Sequence, residues 1–355
     1  MGVIAPREKL LWHPDRLTEL RRDGKTSAPI NVEIDLSNRC SLGCEWCHFA
    51  YTHTRGPLKG KRDKPAGAVL GGDLMDFDLA IGILNQLEEA GARSITWTGG
   101  GEPTLHPDFS AIVYACSRRK LKQGLYTHGG HITDAMAARL KSSFTFVYVS
   151  LDAADAESYK RAKGVDRFAA ACEGVRKLAK AVGNATIGCG FLLTEGNWRD
   201  APKMAALAKD LGADYAQFRP TILYAMDNPG EPSEDTSWLD EAFATTIALA
   251  QDPFVSVDVE RFRNYRNWQG HGYATCWWSM LQTCITPNGK VWTCVNKREH
   301  PAAEIGDLSR ETFQEIWQRH TAAKVTGDCR LMCRGHLPNQ TLNDLMSDRP
   351  HMEFV

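Results

Sequence analysis

Strand-like and helix-like segments alternate in this chain of 355 residues from residue 31 onward. The six apolar segments that we interpret as strands are Asn31–Leu36, Ser94–Thr98, Gly124–Thr127, Phe146–Ser150, Ala185–Leu193 and Asp214–Arg219. Helical periodicity lies between them, near residues 77–90, 107–119, 133–141, 155–181 (with a break near Gly164) and 198–211. Because parallel strands joined by helices need right-handed crossovers, this alternation predicts an α/β fold built on a parallel sheet.

Three cysteines follow the first predicted strand at the spacing Cys40-x3-Cys44-x2-Cys47, and Trp46 directly precedes the last of them. Three thiolates on one short loop can hold three irons of a 4Fe–4S cluster and leave the fourth iron open. A zinc site that adds His48 as the fourth ligand is the alternative that this spacing alone allows. The loop therefore indicates a metal centre.

Polar or glycine-rich motifs also end the next three predicted strands. The second strand ends in a run made of Gly99, Gly100, Gly101 and Glu102. Thr127-His128-Gly129 ends the third strand, and Ser150-Leu151-Asp152 ends the fourth. Glycines at a strand end let a ligand approach the backbone, and ligands of such barrels bind at the carboxyl ends of the strands. We expect these motifs to share one mouth with the cysteine loop.

The C-x3-C-x-aromatic-C loop and the Gly-Gly-Glu run together resemble the radical S-adenosylmethionine (SAM) superfamily. The resemblance implies a partial (β/α)6 TIM-type barrel with a SAM-binding 4Fe–4S cluster on the three cysteines. It also implies that the SAM contacts are Trp46, Gly99, Gly100, Gly101, Glu102, Ser150 and Asp152. Relatives often have Thr-Asn-Gly after the third strand, so His128 is a departure that allows a substrate contact, a changed hydrogen bond or an ordinary polar strand end.

A second cysteine set lies near the C-terminus. The spacing Cys276-x12-Gly289-x4-Cys294 resembles an element of SPASM and twitch domains, which carry auxiliary clusters, and Cys329-x3-Cys333 follows. The turn before Gly289 predicts a β-hairpin. These four cysteines could fully ligate one auxiliary 4Fe–4S cluster, and a full SPASM domain would need further cysteines, which favours a twitch domain. A structural zinc is the alternative, and His336 is a weaker candidate ligand.

Four other residues are candidates for substrate or radical chemistry. Arg219, at the end of the sixth strand, suits an anionic group, although a surface ion pair is an equal alternative. His128 is the candidate at the third strand. Cys189 and Cys284 could donate a hydrogen atom, but buried free thiols are their ordinary interpretation.

Domain boundaries and location follow from composition. We predict an N-terminal extension at 1–30, the barrel at 31–235, a linker helix and cluster domain at 236–340, and a tail at 341–355. The glycine- and lysine-rich loop at 52–74 is either a lid or disordered.

The net charge of −1 gives no basic field for nucleic acid, and no apolar run is long enough for a membrane span. Closely spaced thiols favour metals in a reducing cytoplasm.

The resemblance predicts an enzyme that cleaves SAM to a 5′-deoxyadenosyl radical, which abstracts hydrogen from the substrate. Our first choice is an oxidoreductase that dehydrogenates a small polar molecule with the help of one auxiliary cluster, reduced by a flavodoxin- or ferredoxin-type donor. The alternatives are a peptide maturase, a nucleoside- or nucleic-acid-modifying enzyme, and a redox-neutral epimerase or isomerase. The short N-terminal extension favours the small substrate over a peptide. A structural iron–sulfur or zinc protein is the non-enzyme alternative.

Overall fold

The computed structural model describes residues 7–44, 46–47, 73–221, 224–225, 228–232, 236–266, 270–298, 300–327, 329, 333–348 and 350. The predicted lid at 52–74 lies outside these residues except for its last two, and so does His48. No helix in the described ranges combines the length and the apolar character that crossing a bilayer requires.

Six parallel strands form the centre of the fold, as the alternation predicts. They are β1 (Asn31–Asp35), β2 (Ser94–Thr98), β3 (Lys122–Thr127), β4 (Phe146–Ser150), β5 (Thr186–Leu193) and β6 (Tyr215–Pro220). Two further short strands follow β6 and pair with each other, β7 (Tyr224–Ala225) and β8 (Asn228–Pro232). Strand β9 (Val255–Val257) then extends the parallel sheet beyond β6.

Helices cover the outer face of this sheet. In chain order the described helices are α1 (Pro14–Asp23), α2 (Phe77–Ala90), α3 (Phe109–Ser117), α4 (Asp134–Ser143), α5 (Ala156–Lys163), α6 (Phe168–Lys180), α7 (Ala201–Asp210), α8 (Leu239–Leu249), α9 (Val259–Arg266), α10 (Phe313–Arg319) and α11 (His336–Met346). Asp76 caps α2 by accepting hydrogen bonds from the amides of Asp78 and Leu79. Gly164, with φ of 75°, ends α5 at the break that the sequence predicts within residues 155–181.

The C-terminal segment continues the barrel sheet. Strand β10 (Thr275–Cys276) pairs with β14 (Ala323–Lys324), whereas β11 (Gln282–Ile285), β12 (Lys290–Trp292) and β13 (Glu304–Asp307) join the main sheet. Strand β11 pairs with β1 in parallel, and β12 follows in the predicted hairpin, whose turn contains Gly289 at φ 79°. A single ten-stranded sheet therefore runs through both regions.

Both chain ends pack against this C-terminal region. A second hydrophobic core unites Leu10, Leu20, Met280, Leu281 and Leu342. The burial of Leu342 explains why α11 continues to Met346, across the boundary that we predict at residue 340. The division into domains stays a prediction, but the described part of the N-terminal segment is packed rather than extended.

Candidate active site

The first cysteine loop lies at the mouth formed by the carboxyl ends of the strands. Cys40 and Cys44 pack against the main core, and the amide of Gly43 donates a hydrogen bond of 2.7 Å to the Lys163 carbonyl. Burial, and secondarily the Cys44 thiolate, raises the pKa of Cys40. Burial also raises the pKa of Cys44 to about 11, although Lys163 opposes this. The thiols thus lie within electrostatic reach, and a bound metal would favour their deprotonation.

The glycine run packs directly on this loop. The amide of Gly101 donates to the Ser37 carbonyl at 2.9 Å, and that of Glu102 donates to the Arg39 carbonyl at 2.8 Å. A Cβ atom on Gly101 would overlap the Arg39 backbone, and one on Gly99 would lie 2.8 Å from the Gly101 carbonyl oxygen. Gly100 is buried beside them. The glycines therefore let two loops meet, whereas the sequence suggests only the approach of a ligand.

Glu102 connects the ends of β2 and β3. Its carboxylate accepts hydrogen bonds from Thr127 Oγ1 at 2.6 Å, the His128 amide at 2.8 Å and Thr104 Oγ1 at 2.7 Å. Burial opposes ionisation, but His128 and these hydrogen bonds outweigh it and hold the pKa of Glu102 below its usual value. Glu102 is therefore a buried anion that fixes the mouth. Its contact with SAM stays a prediction.

His128 fastens the cysteine loop to β3. Its Nδ1 accepts a hydrogen bond of 3.0 Å from the Gly130 amide, so the ring proton lies on Nε2. That atom is 3.2 Å from Ser41 Oγ, which in turn lies 3.0 Å from His131 Nε2. Burial lowers the pKa of His128, although the neighbouring Glu102 carboxylate opposes this. His128 stands where relatives often have asparagine. Of the three interpretations of that difference, the structure supports the changed hydrogen bond.

A buried ion pair between Lys163 and Asp152 lies beneath the same loop, and sequence reasoning missed the lysine. Asp152 has a left-handed backbone with φ of 58°, pairs with Lys163 Nζ, and accepts a bond of 2.6 Å from the Leu192 amide. Lys163 Nζ is 5.5 Å from the Trp46 ring centroid. Burial opposes its charge, but Asp152 and Cys44 raise the pKa of Lys163. A lysine before a helix-ending glycine gives no local signal of such a position.

The inner faces of the strands line a polar lumen. The residues on these faces include Glu33, Asp35, Thr96, Tyr126, Tyr148, Gly190, Gln217 and Arg219. Ser150 ends β4 at the mouth of this lumen. Cys189 lies on the opposite face, in the core beside Cys172, so it is wrongly placed to donate hydrogen into the lumen. Cys284 pairs in register with Glu33, is fully buried and interacts with Arg298.

Three cysteines of the second set, Cys276, Cys294 and Cys333, line one pocket together with Trp278 and Arg334. Backbone amides donate to three sulfurs of this set: Asn296 to Cys294 at 3.3 Å, Gly335 to Cys333 at 3.3 Å and Thr326 to Cys329 at 3.4 Å. Such hydrogen bonds are typical of thiolates that ligate iron–sulfur clusters. His336, the weaker candidate ligand, lies with Nδ1 2.9 Å from the Tyr273 hydroxyl.

The thiols of this set also affect one another. Burial raises the pKa of Cys276 to about 12, and the neighbouring thiolates of Cys333 and Cys294 add to this. Burial and the Cys333 thiolate raise the pKa of Cys294 to about 11. Among the described residues, no three His, Cys, Asp or Glu side chains are arranged to hold a single metal ion. The donor chemistry at both sites, with three and four thiols, fits iron–sulfur clusters.

A charged cluster joins the lumen to the second site. Glu33 pairs with Arg334, which follows Cys333, and lies 3.4 Å from Arg298 Nη2. Asp35 lies 3.0 Å from Arg298 Nη1. The side chains of Glu33 and Arg298 are each only 4% exposed. The inner face of β1 is therefore occupied by structural ion pairs.

Comparison with known proteins matches this architecture. The sequence pattern of the radical SAM superfamily matches residues 34–208, and that of the SPASM iron–sulfur cluster-binding domain matches residues 276–346. The chain belongs to the radical SAM superfamily. It carries a C-terminal SPASM domain. The narrower assignment to a twitch domain with one auxiliary cluster stays a prediction. Radical SAM enzymes bind SAM at a 4Fe–4S cluster, and SPASM domains bind auxiliary clusters.

Three curated relatives are similar in sequence. The cofactor-modifying protein of the tungsten-containing aldehyde ferredoxin oxidoreductase from Pyrococcus furiosus is 28% identical over 51% of this chain and 48% of its own length. A mycofactocin maturase from Mycobacterium tuberculosis is 30% identical over 52% of this chain and 43% of its own. The PqqA peptide cyclase of Gluconobacter oxydans is 23% identical over 82% and 77%. The first two matches thus span under half of the relatives' lengths.

A solved structure shares the fold. Streptococcus suis SuiB bound to its precursor peptide SuiA aligns with a TM-score of 0.62 and 16% identity, covering 89% of this chain and 70% of that one. This similarity supports the partial barrel followed by a small C-terminal domain, as the sequence predicts.

Proposed function

We propose that this protein is a radical SAM peptide maturase, an enzyme that modifies a residue within a peptide. The observation that carries the proposal is the similarity to a peptide cyclase over 82% of the chain. A mycofactocin maturase at 30% identity supports the same class. The small polar metabolite, our first choice from sequence, has less support, since it depended on the shortness of the segment before β1.

The residues of the first site have distinct tasks in this proposal. SAM and the cluster, when bound, supply a 5′-deoxyadenosyl radical that removes hydrogen from an unactivated C–H bond. Cys40, Cys44 and Cys47 would hold that cluster. His128 and Glu102 keep the cysteine loop and the strand ends in register, and Lys163 places a positive charge beside the thiolates. The chain thereby orients the reactants and shields them from water.

For the second site we propose one auxiliary 4Fe–4S cluster on Cys276, Cys294, Cys329 and Cys333. Four protein ligands leave no open iron, so electron transfer is its simplest task, and a net oxidation of the peptide is the outcome that this favours. A flavodoxin- or ferredoxin-type donor in the cytoplasm would supply the first electron.

Deuterium transfer tests the proposal. The reconstituted enzyme is incubated without air with SAM, a reductant and deuterated peptides encoded beside its own coding sequence. We expect deuterium in 5′-deoxyadenosine and a peptide that has lost two hydrogens. The matched control lacks Cys40, Cys44 and Cys47. Transfer from an aminocyclitol, sugar or nucleotide, with none from any peptide, would overturn the proposal.

A further inference from the structure

Arg219 occupies an unusual position on the inner face of the barrel. Burial alternates along β6, so that Ala216 and Phe218 are buried in the core whereas Tyr215, Gln217 and Arg219 lie on the opposite face. Arg219 is the next-to-last residue of the strand. It therefore lies near the mouth at which both the cysteine loop and the glycine run are found.

Two glycines of the neighbouring strand β5 leave space for Tyr148, the side chain that contacts Arg219. A Cβ atom on Gly190 of β5 would overlap the Tyr148 hydroxyl, and one on Gly188 would overlap the Tyr215 ring. Because these positions are glycines, Tyr148 can extend from β4 across β5 toward β6. Its hydroxyl accepts a hydrogen bond of 2.8 Å from Arg219 Nη2, and the guanidinium carbon is 5.0 Å from its ring centroid.

The hydrogen-bond partner of the guanidinium is a neutral phenol, whereas Asp258 attracts its charge without forming an ion pair and Arg261 repels it. Burial raises the pKa of Tyr148, so its hydroxyl stays protonated at pH 7. Within the described part of the chain, Arg219 forms no ion pair with a carboxylate, and its buried Nε has no hydrogen-bond acceptor. Arg298, on the other side of the lumen, contrasts with it, because Glu33 and Asp35 both pair with that arginine.

This contrast has a physical meaning. A buried charge without a directly paired opposite charge is costly, and a hydrogen bond to a phenol compensates only part of that cost. A carboxylate entering the lumen would supply a direct ion pair and an acceptor for Nε, in a charge-assisted hydrogen bond of the strongest class. The rigid fork of arginine, fixed by Tyr148, is already oriented for it.

We propose that Arg219, positioned by Tyr148, binds a carboxylate of the peptide substrate inside the barrel mouth. The inference rests on the proposed peptide maturase function and names the class of peptide: one that presents an Asp or Glu side chain, or its own C-terminal carboxylate, next to the residue that reacts. The carboxylate of SAM itself is the competing source of the anion.

Selection from random peptides tests this without knowledge of the substrate. SAM-loaded, reconstituted enzyme is used to enrich a library of random ten-residue peptides, prepared with either free or amidated C-termini. We expect the wild type to enrich an acidic residue at one position, or free C-termini over amidated ones. The Arg219→Gln variant should lose that preference, and Arg219→Lys should keep part of it.

The affinities of the best peptide and its neutral form for both proteins then define a double-mutant cycle. We expect the Arg219→Gln substitution and the neutral form of the peptide (Glu→Gln or amide) each to weaken binding about tenfold, and both together no more than either one. SAM affinity should not change. Iron content and circular dichroism establish that the variant is folded. If it is not, Tyr148→Phe, which removes only the hydroxyl, should weaken acidic peptides about threefold and neutral ones not at all.

The outcomes separate the two proposals. Peptides enriched without an acidic or C-terminal preference would overturn the role of Arg219 and leave the peptide maturase standing. Arg219→Gln weakening SAM while sparing the peptide would assign the arginine to the cofactor instead. Failure of the wild type to enrich any peptide sequence would count against the peptide function itself.

Discussion

The two cysteine sites are built in opposite ways. The first takes its three thiols from one loop, and two neighbouring strand ends and helix α5 hold that loop in place through His128, Gly101 and the Lys163 carbonyl. The second collects its thiols from segments that are far apart in the chain and supports them with backbone amides that point at sulfur. A local site can be lost without disturbing the fold, whereas a site made of distant segments also ties the fold together.

The largest expected effect distinguishes the sites by their irons. We expect reconstituted protein to hold about eight irons and the variant with serine at Cys40, Cys44 and Cys47 about four, because each cluster contains four. SAM cleavage should fall to background in this variant. Iron analysis and chromatography of 5′-deoxyadenosine provide the measurements. A variant that keeps all its iron would contradict the assignment, and more than about eight in the wild type would indicate a second auxiliary cluster.

The next effect probes the ion pairs beside the second site. Glu33→Gln leaves the buried Arg298 with one carboxylate fewer, and we expect about 3 kcal/mol less free energy of unfolding. Arg334, whose side chain is 44% exposed, contributes less to this loss. Denaturant unfolding of the metal-free protein is the measurement.

The matched control for this variant is Glu157→Gln, which breaks an exposed pair with Arg161. We expect it to change the free energy of unfolding by less than about 1 kcal/mol. Equal losses in the two variants would mean that burial adds nothing to the pairing of Glu33.

A smaller effect concerns the first site. Glu102→Ala removes the acceptor that ties the ends of β2 and β3 together, so we expect SAM affinity to fall about tenfold with the iron content unchanged. Anaerobic equilibrium binding of SAM measures this, and Glu89→Ala, on the exposed face of α2, is the control. Unchanged affinity would remove Glu102 from the SAM site.

The smallest effect is a pH dependence in the C-terminal region. Burial lowers the pKa of His320, whose Nε2 lies 3.2 Å from the Ser279 carbonyl. Because the pKa of His320 is lower in the folded protein than its ordinary value of 6.5, the unfolded chain binds the proton more readily than the folded protein does. The free energy of unfolding therefore falls as the pH falls below about 6.5. We expect His320→Gln to reduce this decline by about 1 kcal/mol between about pH 7.5 and 5.5. If the free energy of unfolding changes equally with pH in the wild type and in His320→Gln, the assignment of the decline to His320 is contradicted.

Local pattern was sufficient for much of this structure. The strands, the turn at Gly289 and the loop with Cys40, Cys44 and Cys47 all depend on short-range spacing. The Lys163–Asp152 pair, the Tyr148–Arg219 contact and the role of Gly190 depend on which side chains meet across strands, and periodicity carries no information about that. The structure places Cys189 in the core, in agreement with its ordinary interpretation as a buried free thiol.

The pairing of β11 with β1 has a consequence for how the molecule is made. Glu33 on the first barrel strand and Gln282 on its neighbour are 249 residues apart in sequence. During synthesis the outer edge of β1 thus stays open until most of the chain has left the ribosome, and open strand edges invite association with other chains. Nascent fragments that end before β11 should accordingly aggregate. A chaperone that shields the edge of β1 would have to stay bound until β11 has been synthesised.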